Sequence, residues 1–328
     1  MSDLYKIPND NGKDYRLKKF VEYQHEVPET HYRFVGEYAR RRKADNDAIV
    51  DLAFILSTTY SEITTVFVRE LMKKYSCKYI WEKYKNELNF GSARKYAKNN
   101  DEFVPLIEEW DKASYGNPYM YVKSEESSDG EKTYRRVHGK IMRINGVGRF
   151  SADLFLEMLI YMKDDLKLNV KQPAALDWEN CANLTSGIFN IFYEDERANE
   201  YEKKKKLSVD EKKYLTIKLR QIQKEIKKEY PNQNCEICMF IGKICSFRNL
   251  FKNARYGGFH HDRQLGVLKN YQKLFPDYKS LWEECYEIRD KIYPERFLGE
   301  KNGWDGIRKE RKKIWLMTGN TGAEKRYG

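Results

Sequence analysis

Apolar positions recur at helical spacing along nearly the whole chain. Between residues 46 and 75, Ile49, Leu52, Ala53, Leu56, Ile63, Val66, Phe67 and Leu71 line one helical face. Hydroxyls interrupt that face at Ser57-Thr-Thr-Tyr-Ser61. The break predicts a second helix starting near Ser61, with the cluster either capping it or presenting hydroxyls to a ligand. Residues 15–42 form a charged amphipathic segment that Pro28 divides, and residues 80–112 continue in short helices around a polar elbow, Asn89-Phe-Gly-Ser-Ala-Arg-Lys95. Ser208 and Glu211 make a capping box that heads a long helix to about Glu229, where Pro231 stops it. Two stretches break the pattern. Residues 123–132, rich in Ser, Glu and Gly, predict a mobile loop, and Tyr119, Tyr121 and Val122 are the one place where a short strand pairing is conceivable. Pro173 then introduces Ala-Ala-Leu-Asp-Trp-Glu179. With no internal repeat visible, these elements predict a mainly α chain with one large helical domain over residues 1–318 and a frayed tail over 319–328.

The segment Ile144-Asn-Gly-Val-Gly-Arg-Phe-Ser-Ala152 carries the most chemistry. A hydrophobic residue, a Gly-Val-Gly turn and a small-residue helix start form the pattern of a helix-hairpin-helix. Gly146 and Gly148 would leave backbone N–H groups at a helix N-terminus, where unpaired donors and the dipole favour a phosphate. Arg149 adds a charge at the same point. Ala152, Phe155, Leu156, Leu159 and Ile160 then follow at helical spacing. An ordinary tight turn between packed helices has the same pattern.

Charge brings nucleic acid into view. The chain holds 61 Lys+Arg against 50 Asp+Glu, a net charge of +11, and its pI is about 9.1. Its summed field should attract polyanions. Aromatic residues make up 14% of the chain and include 25 Tyr, rings that can stack on exposed bases. Lysine runs such as Lys203 to Lys206 are equally compatible with a solvated surface. No apolar run approaches the ~20 residues that span a bilayer. Nor does the N-terminus carry a secretory h-region, so the expectation is a soluble, intracellular protein.

Six scattered cysteines do not form a secreted disulfide framework. Cys235-x2-Cys238-x6-Cys245 has one pair at metal-ligand spacing, but a fourth ligand at a matching interval is missing. Met239, Phe240, Ile241 and Ile244 between the last two cysteines predict a buried helix, so the expectation is structural thiols and no metal.

A second constellation lies in Phe247 to Gln264. Arg248, Lys252, Arg255, His260, His261 and Arg263 can bind anions or move protons, Asp262 can orient a histidine, and Gly257-Gly258 bends the backbone.

Taken in order, Phe20-Val-Glu-Tyr-Gln24, Arg94-Lys-x-x-Lys98-Asn-Asn100, Gly148-Arg-Phe-Ser151 and Arg255-Tyr256 followed by His261-Asp-Arg-Gln264 resemble the phage amino acid:DNA transferases. These thymidine-hypermodification proteins are akin to the alpha-glutamyl/putrescinyl-thymine pyrophosphorylases and related to helix-hairpin-helix DNA glycosylases. The resemblance covers most of residues 15–270. It implies a glycosylase-like helical fold acting on double-stranded DNA in the cytoplasm of an infected bacterial host, with no membrane partner. The implied substrate is 5-hydroxymethyluracil diphosphorylated on its hydroxymethyl oxygen, and an amino acid or other amine displaces pyrophosphate.

Under that resemblance Arg94, Lys98, Arg149, Ser151, Lys252, Arg255, Tyr256 and Arg263 would hold the substrate and its diphosphate, whose growing charge needs cations and N–H donors. Asp177, His261 or Asp262 would activate the amine, and Gly146 and Gly148 would grip the DNA backbone. Tyr256 or Trp178 would hold the flipped base. No cofactor is implied, with Mg2+ on the diphosphate left open. Glycosylases with lyase activity carry a lysine just after Gly-x-Gly-Arg, whereas Phe150 stands there, and phenylalanine forms no Schiff base. A glycosylase using Asp177 and a non-enzymatic DNA-binding protein are the alternatives.

Overall fold

The computed structural model describes residues 15–26, 31–91, 102–176, 178, 181–204, 206–251 and 259–293; the side chains of residues 204, 249–251 and 259–262 lie outside that description. Every regular element among these residues is a helix. Backbone contacts divide the chain into two compact units, one drawn from residues 30–172 and 263–293, the other from residues 1–29, 173–262 and 294–328.

The first unit, termed here the hairpin unit, is organised around α3 (Asn46–Thr59). Asp45 caps this helix, its carboxylate accepting from the Ala48 N–H at 2.8 Å. Helices α2 (His31–Arg41), α4 (Glu62–Met72), α7 (Pro118–Lys123) and α9 (Arg149–Tyr161) all pack against α3. Phe54 of α3 stacks on Trp110 of α6 (Phe103–Ser114) at 4.4 Å, and both rings meet Phe155 of α9 edge-on. Trp110 Nε1 donates to Asp51 at 2.9 Å, and burial raises that carboxyl above its usual range. A second aromatic cluster surrounds Phe67 of α4. It joins Tyr84 of α5 (Cys77–Tyr84), Tyr271 of α14 (Phe259–Leu274), Phe275, Tyr278 and Trp282 of α15 (Lys279–Ile292). Each such pair contributes about 0.5–1.5 kcal/mol beyond area burial.

The sequence break at Ser57–Ser61 does divide two helices. Ser61 caps α4, its hydroxyl accepting from the Thr64 N–H at 3.3 Å. The strand pairing conceived at Tyr119, Tyr121 and Val122 is corrected: these residues form α7, with Pro118 in its first turn. Helical spacing satisfies them better, because the Tyr119 N–H reaches Asp47 at 2.7 Å, its hydroxyl reaches the Leu166 carbonyl at 2.9 Å, and Val122 is fully buried. Residues 123–132, expected as a mobile loop, are pinned. The Asn169 amide donates to the carbonyls of Ser127 and Ser128, and Asp129 caps α8 (Gly130–Ile141).

The other unit contains α1 (Tyr15–Glu26), α10 (Ala182–Ile191), α11 (Asp195–Lys204), α12 (Val209–Glu229) and α13 (Cys238–Phe251). The capping box at Ser208 and Glu211 forms with both of its hydrogen bonds. Helices α10 and α13 approach closely at Gly187, where an added Cβ would lie 2.6 Å from Ile244 Cγ2 and 2.9 Å from the Ile244 carbonyl oxygen. Gly187→Ala should therefore destabilise this unit by about 1–3 kcal/mol. Gly139, exposed within α8 with nothing within 4 Å of a Cβ, supplies the opposite sign. Gly139→Ala should stabilise by about 0.5–1 kcal/mol, and urea unfolding of both variants checks the pair.

Candidate nucleic-acid interface

The hairpin lies between α8 and α9. After α8 ends, Ile144 donates back to the Ile141 carbonyl and Val147 to the Ile144 carbonyl, and both side chains are buried. These two anchors hold the turn while Asn145, Gly146 and Gly148 stay on the surface. Gly146 has φ +87°, the left-handed region that favours glycine. Gly148 is the N-cap of α9 with φ −90°, and no side chain caps the helix. The Ser151 and Ala152 N–H groups close its first turn on the Gly148 carbonyl at 2.9 and 3.1 Å. An anion is favoured at such a helix end by the aligned peptide dipoles.

Asp153, one turn into α9, braces the hairpin. It accepts from the Tyr134 hydroxyl of α8 at 3.1 Å, lies 3.3 Å from His138 Nε2, and lies 3.6 Å from Arg149 Nε. Arg149 is thereby held beside the turn. Arg136 and Arg143 are exposed on the same α8-hairpin stretch, and neither has an ion pair among the described residues. Phe150, in the first helical turn, is 50% exposed.

Of the residues singled out in the sequence, Gly146, Gly148, Arg149 and Ser151 come together in this hairpin. Ser151 itself is 4% exposed, packed inside the first turn of α9. Arg263, on α14 of the same unit, donates to the Phe90 carbonyl at 2.8 Å and reaches Asn89 Oδ1 at 3.3 Å, so it holds the chain just before the Arg94 elbow. His261 and Asp262 stand in the first turns of α14, with side chains outside the described set. Arg94, Lys98, Asp177, Lys252, Arg255 and Tyr256 lie outside the described residues. Trp178 is a core residue of the other unit, 2% exposed, with its Nε1 donating to Thr216 Oγ1 at 3.2 Å.

Sequence reasoning missed a buried polar cluster in the hairpin unit. Glu62, at the start of α4, is fully buried and accepts from His31 Nδ1 and from the Tyr293 hydroxyl at 3.3 Å. Beside it, Ser61 Oγ donates to Gln264 Oε1 at 2.9 Å, and Thr59 and Thr65 share a hydroxyl bond at 2.8 Å. Thr64 bonds the Asn89 carbonyl and the Tyr271 hydroxyl, and Tyr271, pushed up to about 12 chiefly by burial, stays protonated. The hydroxyl run at residues 57–61 was the available signal, but it did not implicate His31 or Glu62.

Burial pushes Cys77 up to about 12 and Cys285 well above its usual range, so neither is a thiolate at neutral pH. Cys235 donates its S–H to the Gln233 carbonyl at 3.1 Å, and Cys238 is buried. Among the described residues no group of three or more His, Cys, Asp or Glu is arranged to hold a metal, and no helix is long and apolar enough to cross a membrane.

No family model, curated protein or solved structure matches the chain.

The two hairpin glycines predict separable effects. Gly146→Ala forces a side chain into the left-handed region and places its Cβ 3.3 Å from Leu106 Cδ1. It should cost about 1–2 kcal/mol of stability. Gly148 has an ordinary backbone conformation and open space around a Cβ. Gly148→Asp should keep or slightly raise Tm by capping α9, yet weaken duplex binding by repelling phosphate. Thermal melts and fluorescence anisotropy at several salt concentrations check both; unchanged affinity in Gly148→Asp would remove the hairpin from the interface.

Proposed function

We propose that the chain binds duplex DNA through the hairpin at residues 142–148 and modifies a base there, transferring an amino acid or other amine onto diphosphorylated 5-hydroxymethyluracil. The observation that carries the DNA part is the hairpin itself: a left-handed Gly146, a helix start at Gly148 with no side-chain cap, and Arg143 and Arg149 within five residues of that glycine pair in sequence. The net charge of +11 gives the long-range attraction. The transfer part rests on the resemblance to the phage amino acid:DNA transferases.

In the reaction the amine nitrogen forms a bond to the exocyclic CH2 carbon. The carbon–oxygen bond to the diphosphate breaks, and pyrophosphate departs with the electron pair. The amine must reach the carbon unprotonated, and the product nitrogen sheds a further proton. Cations beside the leaving group lower the barrier because its negative charge grows as the bond breaks. Arg149, steered by Asp153, is the described candidate, with Arg94 and Arg255 named by the resemblance. Base excision through a lysine Schiff base is disfavoured by Phe150 at the position where a lyase would carry lysine.

Incubating the protein with DNA bearing diphosphorylated 5-hydroxymethyluracil and pooled amino acids should release pyrophosphate and yield, in equal amounts, a nucleoside in which the amine replaces the diphosphate on the CH2 carbon. Nucleoside mass spectrometry and a pyrophosphate assay read both products. Free base with abasic sites would instead establish a glycosylase, and unaltered DNA a binding protein. Arg143→Ala and Arg149→Ala should each reduce the slope of log affinity against log salt by about one unit.

A further inference from the structure

The turn between α4 and α5 carries a basic, aromatic patch outside the hairpin. Residues 73–85 hold five lysines against the single carboxylate of Glu82. Lys73 pairs with Glu70 at 2.5 Å and Lys78 stands 4.0 Å from Glu82, while Lys74, Lys83 and Lys85 are exposed with no ion pair among the described residues. Amid this charge Tyr75 is 36% exposed and Tyr79 40%, and their rings stack with centroids 4.8 Å apart and planes 26° from parallel.

Local structure fixes the two rings. The Tyr75 N–H closes on the Leu71 carbonyl at 2.9 Å as α4 ends, and Ser76 caps α5, its hydroxyl accepting from the Tyr79 N–H at 3.2 Å. Leu71, Ile80 and Trp81 are buried, and Trp81 packs on Phe103 of α6 at 5.4 Å. The stack therefore stands on anchored helices and loses little freedom when a further ring joins it. Lys83 donates to the Tyr79 hydroxyl at 3.2 Å, which places a cation at the rim of the stack, and Lys74 Nζ lies 5.8 Å over the Tyr278 ring.

Exposed rings flanked by cations match a base joined to its phosphate. A duplex keeps its base faces inside the stack and offers such rings nothing to lie on, whereas an unpaired strand presents both a face and a charge. A helix that enters a membrane surface displays Leu, Phe or Trp on its apolar side. Here the two tyrosines are the only large apolar residues exposed between positions 73 and 85.

We propose that Tyr75 and Tyr79, with Lys74, Lys83 and Lys85, form a binding site for single-stranded nucleic acid, the tyrosines stacking on bases and the lysines pairing with phosphates. The site goes beyond the amine transfer and does not depend on it.

Fluorescence anisotropy of the full chain with a labelled oligothymidylate, and with a duplex of the same length, tests this. Tyr79→Ala should weaken oligothymidylate binding about 5–150-fold, the effect of losing one base–aromatic stack, and Tyr79→Phe should retain wild-type affinity because the ring, not the hydroxyl, does the stacking. Lys83→Gln should reduce the slope of log affinity against log salt by about 0.7 unit. Gly148→Asp should leave oligothymidylate binding at the wild-type level, so that failure of this site and failure of the hairpin are read separately. Circular dichroism establishes folding, and if Tyr79→Ala does not fold the Lys83→Gln slope decides. Wild-type oligothymidylate affinity in folded Tyr79→Ala, an unchanged slope in Lys83→Gln where the first does not fold, or no binding by the wild-type chain even at low salt overturns the proposal. Tighter binding of an acidic peptide or of anionic phospholipid vesicles through the same tyrosines would also overturn it, by giving the patch to a protein or a membrane.

Discussion

The all-round burial of α3 is the constraint from which the hairpin unit follows. Val50, Phe54 and Leu56 have no exposed surface, and the hydroxyl residues at the end of the helix, Ser57, Thr58 and Thr59, are as deeply buried. Their hydroxyls need partners inside the fold. Ser57 and Thr58 turn back to the carbonyls of Phe54 and Ile55 at 2.7 and 2.8 Å, and Thr59 meets Thr65 of the next helix. The chain then reverses sharply through Tyr60, so that Ser61 caps α4 and Glu62 enters the interior. A carboxylate buried there needs hydrogen-bond donors, and His31 and Tyr293 supply them from α2 and from the end of α15. One buried helix thus dictates a turn, a cap and a polar cluster.

The same helix places the hairpin. Phe54 and Trp110 give Phe155 a surface to pack on, and Phe155 sits one and a half turns into α9. Asp153 then ties the start of α9 back to Tyr134 and His138 of α8. With Ile144 and Val147 buried beneath it, the Gly146–Gly148 turn is held on rigid helices, which suits a phosphate contact that must not reorganise on binding.

Much of this was legible in the sequence because helical periodicity and capping are local. Ser61 as a cap, the Ser208–Glu211 box and the helix after Gly148 follow from residues within four positions of one another. The helix at Pro118–Lys123 was not legible, since two tyrosines and a valine suit a strand by composition and are turned to helix by distant partners, Asp47 and Leu166. Nor was the His31–Glu62 pair, whose members lie 31 residues apart and whose burial depends on α3. The interleaved ranges of the two units leave no trace in composition, because each unit closes through segments far apart in the chain. The roles proposed for Arg94, Asp177 and Arg255 come from the resemblance, because their types carry no local pattern such as periodicity or capping.

Hydrogen exchange with and without duplex DNA, resolved by mass spectrometry, tests the central claim most directly. If the hairpin grips the backbone, slowed exchange should concentrate on the amides of residues 142–150, and should fade as salt rises because phosphate contacts are electrostatic. Protection that leaves residues 142–150 unchanged while appearing elsewhere on the chain would contradict the account.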